Sequence, residues 1–147
     1  MPATKEDWFE AERLHRAASE GDIAEMASFV NAGHGLHTFD ELSRAPLHYA
    51  IEGDQYKAAN WLLEHGAHVN LHNADMIGET ALCLAVQRDY PEMVELLLRH
   101  GADPDISGWM SLTARIRAQR RRDSEGLEIA ALIEQYRPSV RNPGGKR

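Results

Sequence analysis

Histidines are the residues of this 147-residue chain whose type and spacing could bind a metal. His34 and His37 are three residues apart, as are His65 and His68, and His72 follows four residues later. Zinc needs ligands that converge on one point in a tetrahedral arrangement. The two histidine groups fall in separate segments, and the chain has one cysteine to join them. We therefore expect no metal site and no cofactor, with a metal-dependent protein built on these histidines as an alternative.

Motifs for catalysis do not occur in the sequence. It contains no glycine-rich phosphate loop, no Gly-x-Ser-x-Gly and no His-Glu-x-x-His. Cys83 is typical of a small packed hydrophobic residue rather than a reactive thiol. The arginines at 120–122 are followed by Asp123 and Glu125, which favours a solvated surface over contact with nucleic acid or phosphate. We therefore expect a protein that is not an enzyme and has no catalytic residues.

Composition and charge indicate one compact, acidic domain. The apolar fraction is 43% and the formal net charge is −7, which disfavours a nucleic-acid binder. No apolar run approaches the ~20 residues of a membrane span, and the polar start does not resemble a secretory signal. A single cysteine excludes an internal disulfide and fits the cytoplasm. Residues 1–112 hold 19 acidic and 7 basic side chains (net −12), whereas residues 113–147 hold 4 and 9 (net +5).

An internal repeat indicates which elements must position these residues. Residues 45–51 and 61–70 are echoed at 80–86 and 96–105, each at an offset of 35 residues. Within a unit, apolar residues recur at helical spacing in two short stretches, and Gly66 is placed to end the second helix. Short helices of this kind become stable by stacking on neighbours. The pattern predicts units at about 8–42, 43–77 and 78–107, a cap at 108–136, and a disordered basic tail at 137–147.

Two motifs carry a family resemblance. The signature Thr-Pro-Leu-His-x-Ala is matched in part by Ala45-Pro46-Leu47-His48-Tyr49-Ala50 and by Thr80-Ala81-Leu82-Cys83-Leu84-Ala85. Each of these two units ends on Gly-Ala, at Gly66 and at Gly101. Over about residues 8–136 the chain resembles the ankyrin-repeat family. The resemblance implies an all-α solenoid of about four helix-turn-helix units joined by β-turn fingers. It also implies that His48, and more weakly His15, bonds the turn backbone.

Departures from the family pattern lie in the turns and fingers. Asp54 and Asp89 replace glycine between the helices of a unit, and aspartate tolerates the left-handed conformation expected there. With Leu112 opening the fourth unit, the intervals from the closing glycine to the next leucine are 14, 16 and 11 residues, so the last finger is expected to be short. Arg115 then falls where the family needs alanine. Trp109 either fills the gap left by that finger or meets a partner.

The resemblance implies a protein-binding module that uses its concave face and fingers. The residues expected to contact the partner are Arg16, Glu20, Phe39, Tyr49, Glu52, Met76, Ile77, Leu84, Gln87, Arg88 and Trp109. Size and acidity favour a blocker of a basic partner, of the inhibitor or immunity type, that is monomeric when free. An adaptor or scaffold that joins two partners is the alternative. Self-association through the basic C-terminal segment is a third reading.

Overall fold

In a computed structural model of the chain, residues 5–76 and 78–136 are described, with 5–11 described by their backbone alone. All regular elements in this part are helical, which confirms the all-α class. The predicted contact residue Ile77 and the predicted tail at 137–147 lie outside the described residues. The helices are α1 (Lys5–Glu20), α2 (Ile23–Asn31), α3 (Pro46–Glu52), α4 (Tyr56–Glu64), α5 (Ala81–Ala85), α6 (Pro91–Arg99), α7 (Ala114–Arg120) and α8 (Ser124–Gln135), with 3-10 turns at Ala74–Met76 and Trp109–Ser111.

The helices pack in pairs and in two rows. Helices α1, α3, α5 and α7 form an inner row in which each helix contacts the next, and α2 with α4 and α6 with α8 make contacts in the outer row. One continuous core of buried apolar side chains joins the pairs. The inner row carries buried alanines at repeat-equivalent positions, among them Ala17, Ala50, Ala85 and Ala118. Their small side chains allow neighbouring inner helices to approach closely.

Glycines end three of the outer helices in the same way. Gly33, Gly66 and Gly101 have φ of 101°, 100° and 90°, the left-handed region that glycine enters without steric cost. After α4, the N–H of Ala67 donates to the carbonyl of Leu62 at 2.9 Å, which is the long bond of a Schellman motif. The predicted helix stop at Gly66 is confirmed, and the chain leaves each unit at an equivalent point.

Three connecting segments, which we call the fingers, follow these glycines: residues 34–45, 67–80 and 102–113. Each closes in a tight turn. The N–H of Asp40 donates to the carbonyl of Arg44 at 3.0 Å, and Gly108 donates to Leu112 at 3.0 Å in the third finger. In the second finger, Gly78 donates to Asn73 at 2.9 Å. The fingers therefore form hydrogen-bonded turns, and no strand occurs in the described part of the chain.

The expectation of a shortened last finger was wrong. Helix α7 begins at Ala114, and its N-cap is Thr113, whose hydroxyl accepts the N–H of Ile116 at 3.1 Å. Thr80 caps α5 with an equivalent bond 33 residues earlier. Leu112 therefore belongs to the finger, and the third finger is as long as the first.

This register also moves Arg115 and Ala118. Ala118, not Arg115, takes the alanine position and is buried against α5. Arg115 stands where the other units have leucine, and its guanidinium bonds Asp105 at 2.8 Å and also Glu134. The recurrence of Thr80 and Ala85 at Thr113 and Ala118 was the signal in the sequence.

Aspartates between paired helices behave differently from one another. Asp54 has φ of 56°, which confirms the left-handed turn expected after α3. The same expectation for Asp89 was wrong, since its backbone is not left-handed. Asp89 instead accepts a hydrogen bond of 2.6 Å from Arg121. Arg121 also donates to the carbonyls of Val86 and Arg88, so its guanidinium satisfies three acceptors of the turn between α5 and α6.

The basic last unit is held to the preceding unit by ion pairs. Arg117 donates two hydrogen bonds of 2.9 Å to Glu79, and both side chains are largely buried. Arg121 was expected to be solvated with its neighbours, but its side chain is 17% exposed and engaged, whereas Arg120 and Arg122 are exposed. Three of the five arginines between positions 115 and 122 therefore form ion pairs within the molecule. None of the described helices combines the length and apolar character that crossing a membrane requires.

Candidate functional site

The first and third fingers are each held by one residue of the preceding inner helix. His15 Nε2 lies 3.0 Å from the carbonyl oxygens of both Thr38 and Arg44, so it donates its proton to the two legs of the first finger. Cys83 is the equivalent residue of α5. Its Sγ lies 3.9 and 4.0 Å from carbonyl oxygens 23 and 29 residues further on, the same separations as for His15. The signature position therefore pins the finger that follows it.

His48 is the signature residue of α3, and it bonds the turn backbone as expected. Its Nδ1 accepts the N–H of Ala45 at 2.9 Å. Burial lowers the pKa of His48 to about 4, although the nearby carbonyls of Glu79 and Leu71 favour its protonated form. The imidazole is therefore neutral at physiological pH and serves as a structural hydrogen-bonding group.

Large apolar side chains are exposed at the tips of all three fingers. Leu42 is 66% exposed in the first finger, Met76 is 66% exposed in the second, and Trp109 and Met110 are 55% and 70% exposed in the third. We call these four residues the fingertip row. Leu42 and Met110 lie two residues after Asp40 and Gly108, the first residues of the two matching turns. In the described part of the chain, Leu127 is the remaining large apolar residue of comparable exposure.

The first fingertip is stiffened by its own side chains. The carboxylate of Asp40 accepts the N–H groups of Leu42 at 2.9 Å and Arg44 at 3.1 Å, and it also accepts the hydroxyl of Tyr49. Although burial opposes the effect, these bonds hold the pKa of Asp40 below its usual value. Burial and the bond to Asp40 raise the pKa of Tyr49 to about 12. The sequence prediction omitted Leu42, whose signal was its spacing of 68 residues from Met110.

The backbone of Trp109 is held by two hydrogen bonds, and its side chain is exposed. Its N–H donates to Glu79 at 3.1 Å, and its carbonyl accepts from Arg117 at 3.2 Å. The same two side chains form the buried ion pair between the second finger and α7. The idea that Trp109 fills the gap left by a short finger fails, because the finger has normal length and the indole is exposed.

Seven of the predicted contact residues, six of them on or just after the inner helices and one in the first finger, fall into three groups. Arg16, Glu20 and Gln87 are exposed. The half-exposed side chains are already engaged, since Glu52 pairs with Arg44 at 3.1 Å and Arg88 pairs with Asp54 at 2.6 Å. Leu84 packs in the core with 8% of its surface exposed, and Phe39 is half-buried. Leu84 therefore offers a partner little area, and the part that the other residues play in binding stays a prediction.

The histidines that could have formed a metal site contact other rings or the backbone instead. His37 and His68 stack with ring centroids 4.0 Å apart, and His65 stacks on Trp61 at 3.9 Å. His72 Nδ1 lies 3.0 Å from the carbonyl of Asn70. The described set of acidic groups close enough to share a cation is Asp89, Asp123 and Glu125. Arg121 bonds the first two of these, so a cation would compete with a guanidinium already in place.

Comparisons with known proteins agree with this architecture. A family model described as ankyrin repeats matches residues 14–108 in three copies. A stretch of 60 residues is 38% identical to the human protein named transient receptor potential cation channel subfamily A member 1. That stretch is 40% of this chain, and it covers 5% of the channel protein. The likeness therefore covers only a short segment of that much longer protein.

Proposed function

Because the chain belongs to the ankyrin-repeat family, whose repeats serve as protein–protein interaction modules, we propose that it binds and blocks a basic partner protein. The partner lies across the fingertip row and the adjoining inner row. The four helix pairs form one short solenoid, with α7 and α8 as its C-terminal cap. Ion pairs of Arg117 with Glu79 and of Arg121 with Asp89 join the cap to the preceding unit.

The observation that carries this proposal is the fingertip row. Methionine and aromatic residues are enriched in the cores of protein interfaces, and contiguous exposed apolar groups mark interaction sites. Here one or two large apolar residues are exposed in each of three successive fingers: a leucine in the first, a methionine in the second, and a tryptophan with a methionine in the third. Hydrogen bonds within the turns already fix the backbones of the fingers, so little conformational entropy is lost when a partner binds them.

Charge supports a basic partner. Glu20, Glu41 and Asp75 are exposed beside the fingers and the inner row. Arg117 and Arg121 do not offset them, because both already bond carboxylates within the chain, which leaves Arg120 and Arg122 as the exposed arginines of the last unit. An acidic surface around an apolar strip speeds association with a basic partner and disfavours acidic competitors.

Blocking is favoured over joining two partners. An adaptor needs two separate binding surfaces, whereas the described residues offer one apolar row and the isolated Leu127.

We propose that the free chain is a cytoplasmic monomer. The burial of Cys83, its single cysteine, is compatible with a reducing compartment.

The test compares three forms of the protein as baits in extracts of the native cells. The baits are the wild type, the triple variant Leu42→Ser/Met76→Ser/Met110→Ser, and the control Leu127→Ser, which removes an equally exposed side chain elsewhere. A partner retained by wild type and control, but bound at least tenfold more weakly by the triple variant, supports the proposal. The purified partner is then assayed alone and with the chain for loss of its own activity.

Three results would count against it. Equal binding by the triple variant would remove the fingertip row from the interface. Affinity that does not change with salt would contradict the basic partner, because exposed charge pairs are screened by ions. A ternary complex with a second protein, with the first partner still active, would establish the adaptor instead.

A further inference from the structure

A polar side chain ties each of the first two fingers to the next unit. Asn70 of the second finger spans the turn after α6: its Oδ1 accepts the N–H of Asp103 at 2.8 Å, and its Nδ2 donates to the carbonyl of Gly101 at 3.3 Å. His37 stands 33 residues earlier, at the equivalent place in the first finger. Its Nε2 accepts the N–H of His68, in the turn after α4, at 3.1 Å. Both side chains therefore accept the N–H of the residue two positions after the glycine that ends an outer helix, His37 through an imidazole nitrogen and Asn70 through an amide oxygen.

The difference lies in how the two acceptors respond to acid. The amide oxygen of asparagine accepts a hydrogen bond at any ordinary pH, whereas imidazole Nε2 accepts only in the neutral form. Protonation of His37 would place an N–H against the N–H of His68. The ring of His68 also stacks on His37 at 4.0 Å, so a second imidazolium would add like-charge repulsion.

We propose that His37 is a pH-sensitive clasp: its neutral imidazole holds the first finger to the turn after α4 by accepting the N–H of His68, and it loses that bond when protonated. The first finger carries Leu42, so the loss of this bond in mild acid weakens the attachment of one end of the fingertip row. The clasp is a property of the chain alone and does not depend on the proposed function.

The surroundings of His37 favour its neutral form. Burial lowers its pKa, and the positive charge of His68 lowers it further, against the carbonyl of Gly66, which favours the protonated form. The folded state therefore takes up this proton at lower pH than the unfolded chain. The stability that the clasp contributes is complete above the ordinary histidine pKa of 6.5 and is lost as the pH falls through the lower, folded value.

The other titratable groups nearby do not replace this bond. His65, on the α4 side, stacks on Trp61 and bonds its carbonyl at 2.8 Å. Glu64 ends α4 as an exposed residue that forms no ion pair with His37. On the finger itself, His34 packs against Phe29.

From the inner row, His15 holds the same finger, but it does so as a donor. A donor N–H is present in both protonation states, so acid does not break that attachment. The finger therefore stays attached to the inner row, and the carbonyl of Gly66 still accepts from His37, while the bond to the His68 N–H is lost.

The experiment measures amide hydrogen exchange by NMR between pH 7.5 and 5, with each rate divided by its intrinsic rate at that pH. The N–H of Asp103, bonded to Asn70, is the control within the same molecule. We expect protection of the His68 N–H to fall about fivefold relative to Asp103, the loss of a hydrogen bond worth about 1 kcal/mol. In His37→Asn this pH dependence should vanish. In Asn70→His it should appear at Asp103.

Parallel loss of protection at His68 and Asp103 in the wild type would overturn the proposal, because it would indicate general loosening. An unchanged pH dependence in His37→Asn would overturn it as well. If that variant fails to fold, the wild-type comparison and Asn70→His still decide the question. Partner binding enters none of these readouts, so failure of the proposed function would leave them unaffected.

Discussion

Acid should destabilise the protein through one buried histidine. His48 is 1% exposed, and its pKa is lowered from 6.5 to about 4, with burial as the largest cause. The unfolded chain takes up this proton near pH 6.5, whereas the folded chain resists it until about pH 4. The contribution to stability is therefore complete above pH 6.5 and is lost as the pH falls to about 4. The difference between a pKa of 6.5 and one of about 4 corresponds to about 3 kcal/mol.

The assay is urea unfolding at pH 7, 6, 5 and 4 on the His37→Asn background, which removes the histidine of the proposed clasp. His48→Asn is the comparison, because the asparagine oxygen stands near the place of Nδ1 and does not titrate. Between pH 7 and 4, the protein with His48 should lose about 3 kcal/mol more free energy of unfolding than the variant. Equal losses, or an NMR titration of His48 near pH 6.5, would refute the reasoning.

Three further substitutions test the packing. Glu79→Ala removes the carboxylate from the largely buried Arg117 and should cost about 3 kcal/mol in urea unfolding, and a loss below about 1 kcal/mol would show that this pair behaves like a surface pair. Gly66→Ala should cost only about 1 kcal/mol, because its φ is 100° but an added Cβ would meet nothing within 4 Å. Gly53→Ala should cost about 3 kcal/mol, since its Cβ would overlap the carbonyl oxygen of Ser19. Equal costs at the two glycines would contradict this separation of backbone strain from steric overlap.

Much of the fold could be predicted from the sequence because its determinants are local. The glycine that stops α4, the proline at the start of α3 and the apolar spacing of each helix act within one or two turns. The bond from His48 to the backbone of Ala45 also spans only three residues. The repeat then copies these local rules along the chain, so the helix pairs and their order follow from it.

The end of the chain was predicted less well, because competing residues matched the pattern. Leu112 resembled the first leucine of a unit, but the hydroxyl of Thr113 caps α7 and places that leucine in the finger. A three-residue change of register turned an apparent short finger into one of normal length. It also assigned Arg115 to the carboxylates of Asp105 and Glu134.

The sequence by itself determined the repeat, the helix pairs and the acidic balance of the chain, all of which depend on composition and short-range spacing. The folded structure decided which charges remain available and which apolar groups reach solvent. Arg117 meets Glu79 across 38 residues, and His37 meets His68 across 31. Such pairs form only when neighbouring units stack, because stacking brings distant segments within hydrogen-bonding distance. The exposure of the fingertip row depends on the same packing, since it leaves the tips of the turns uncovered.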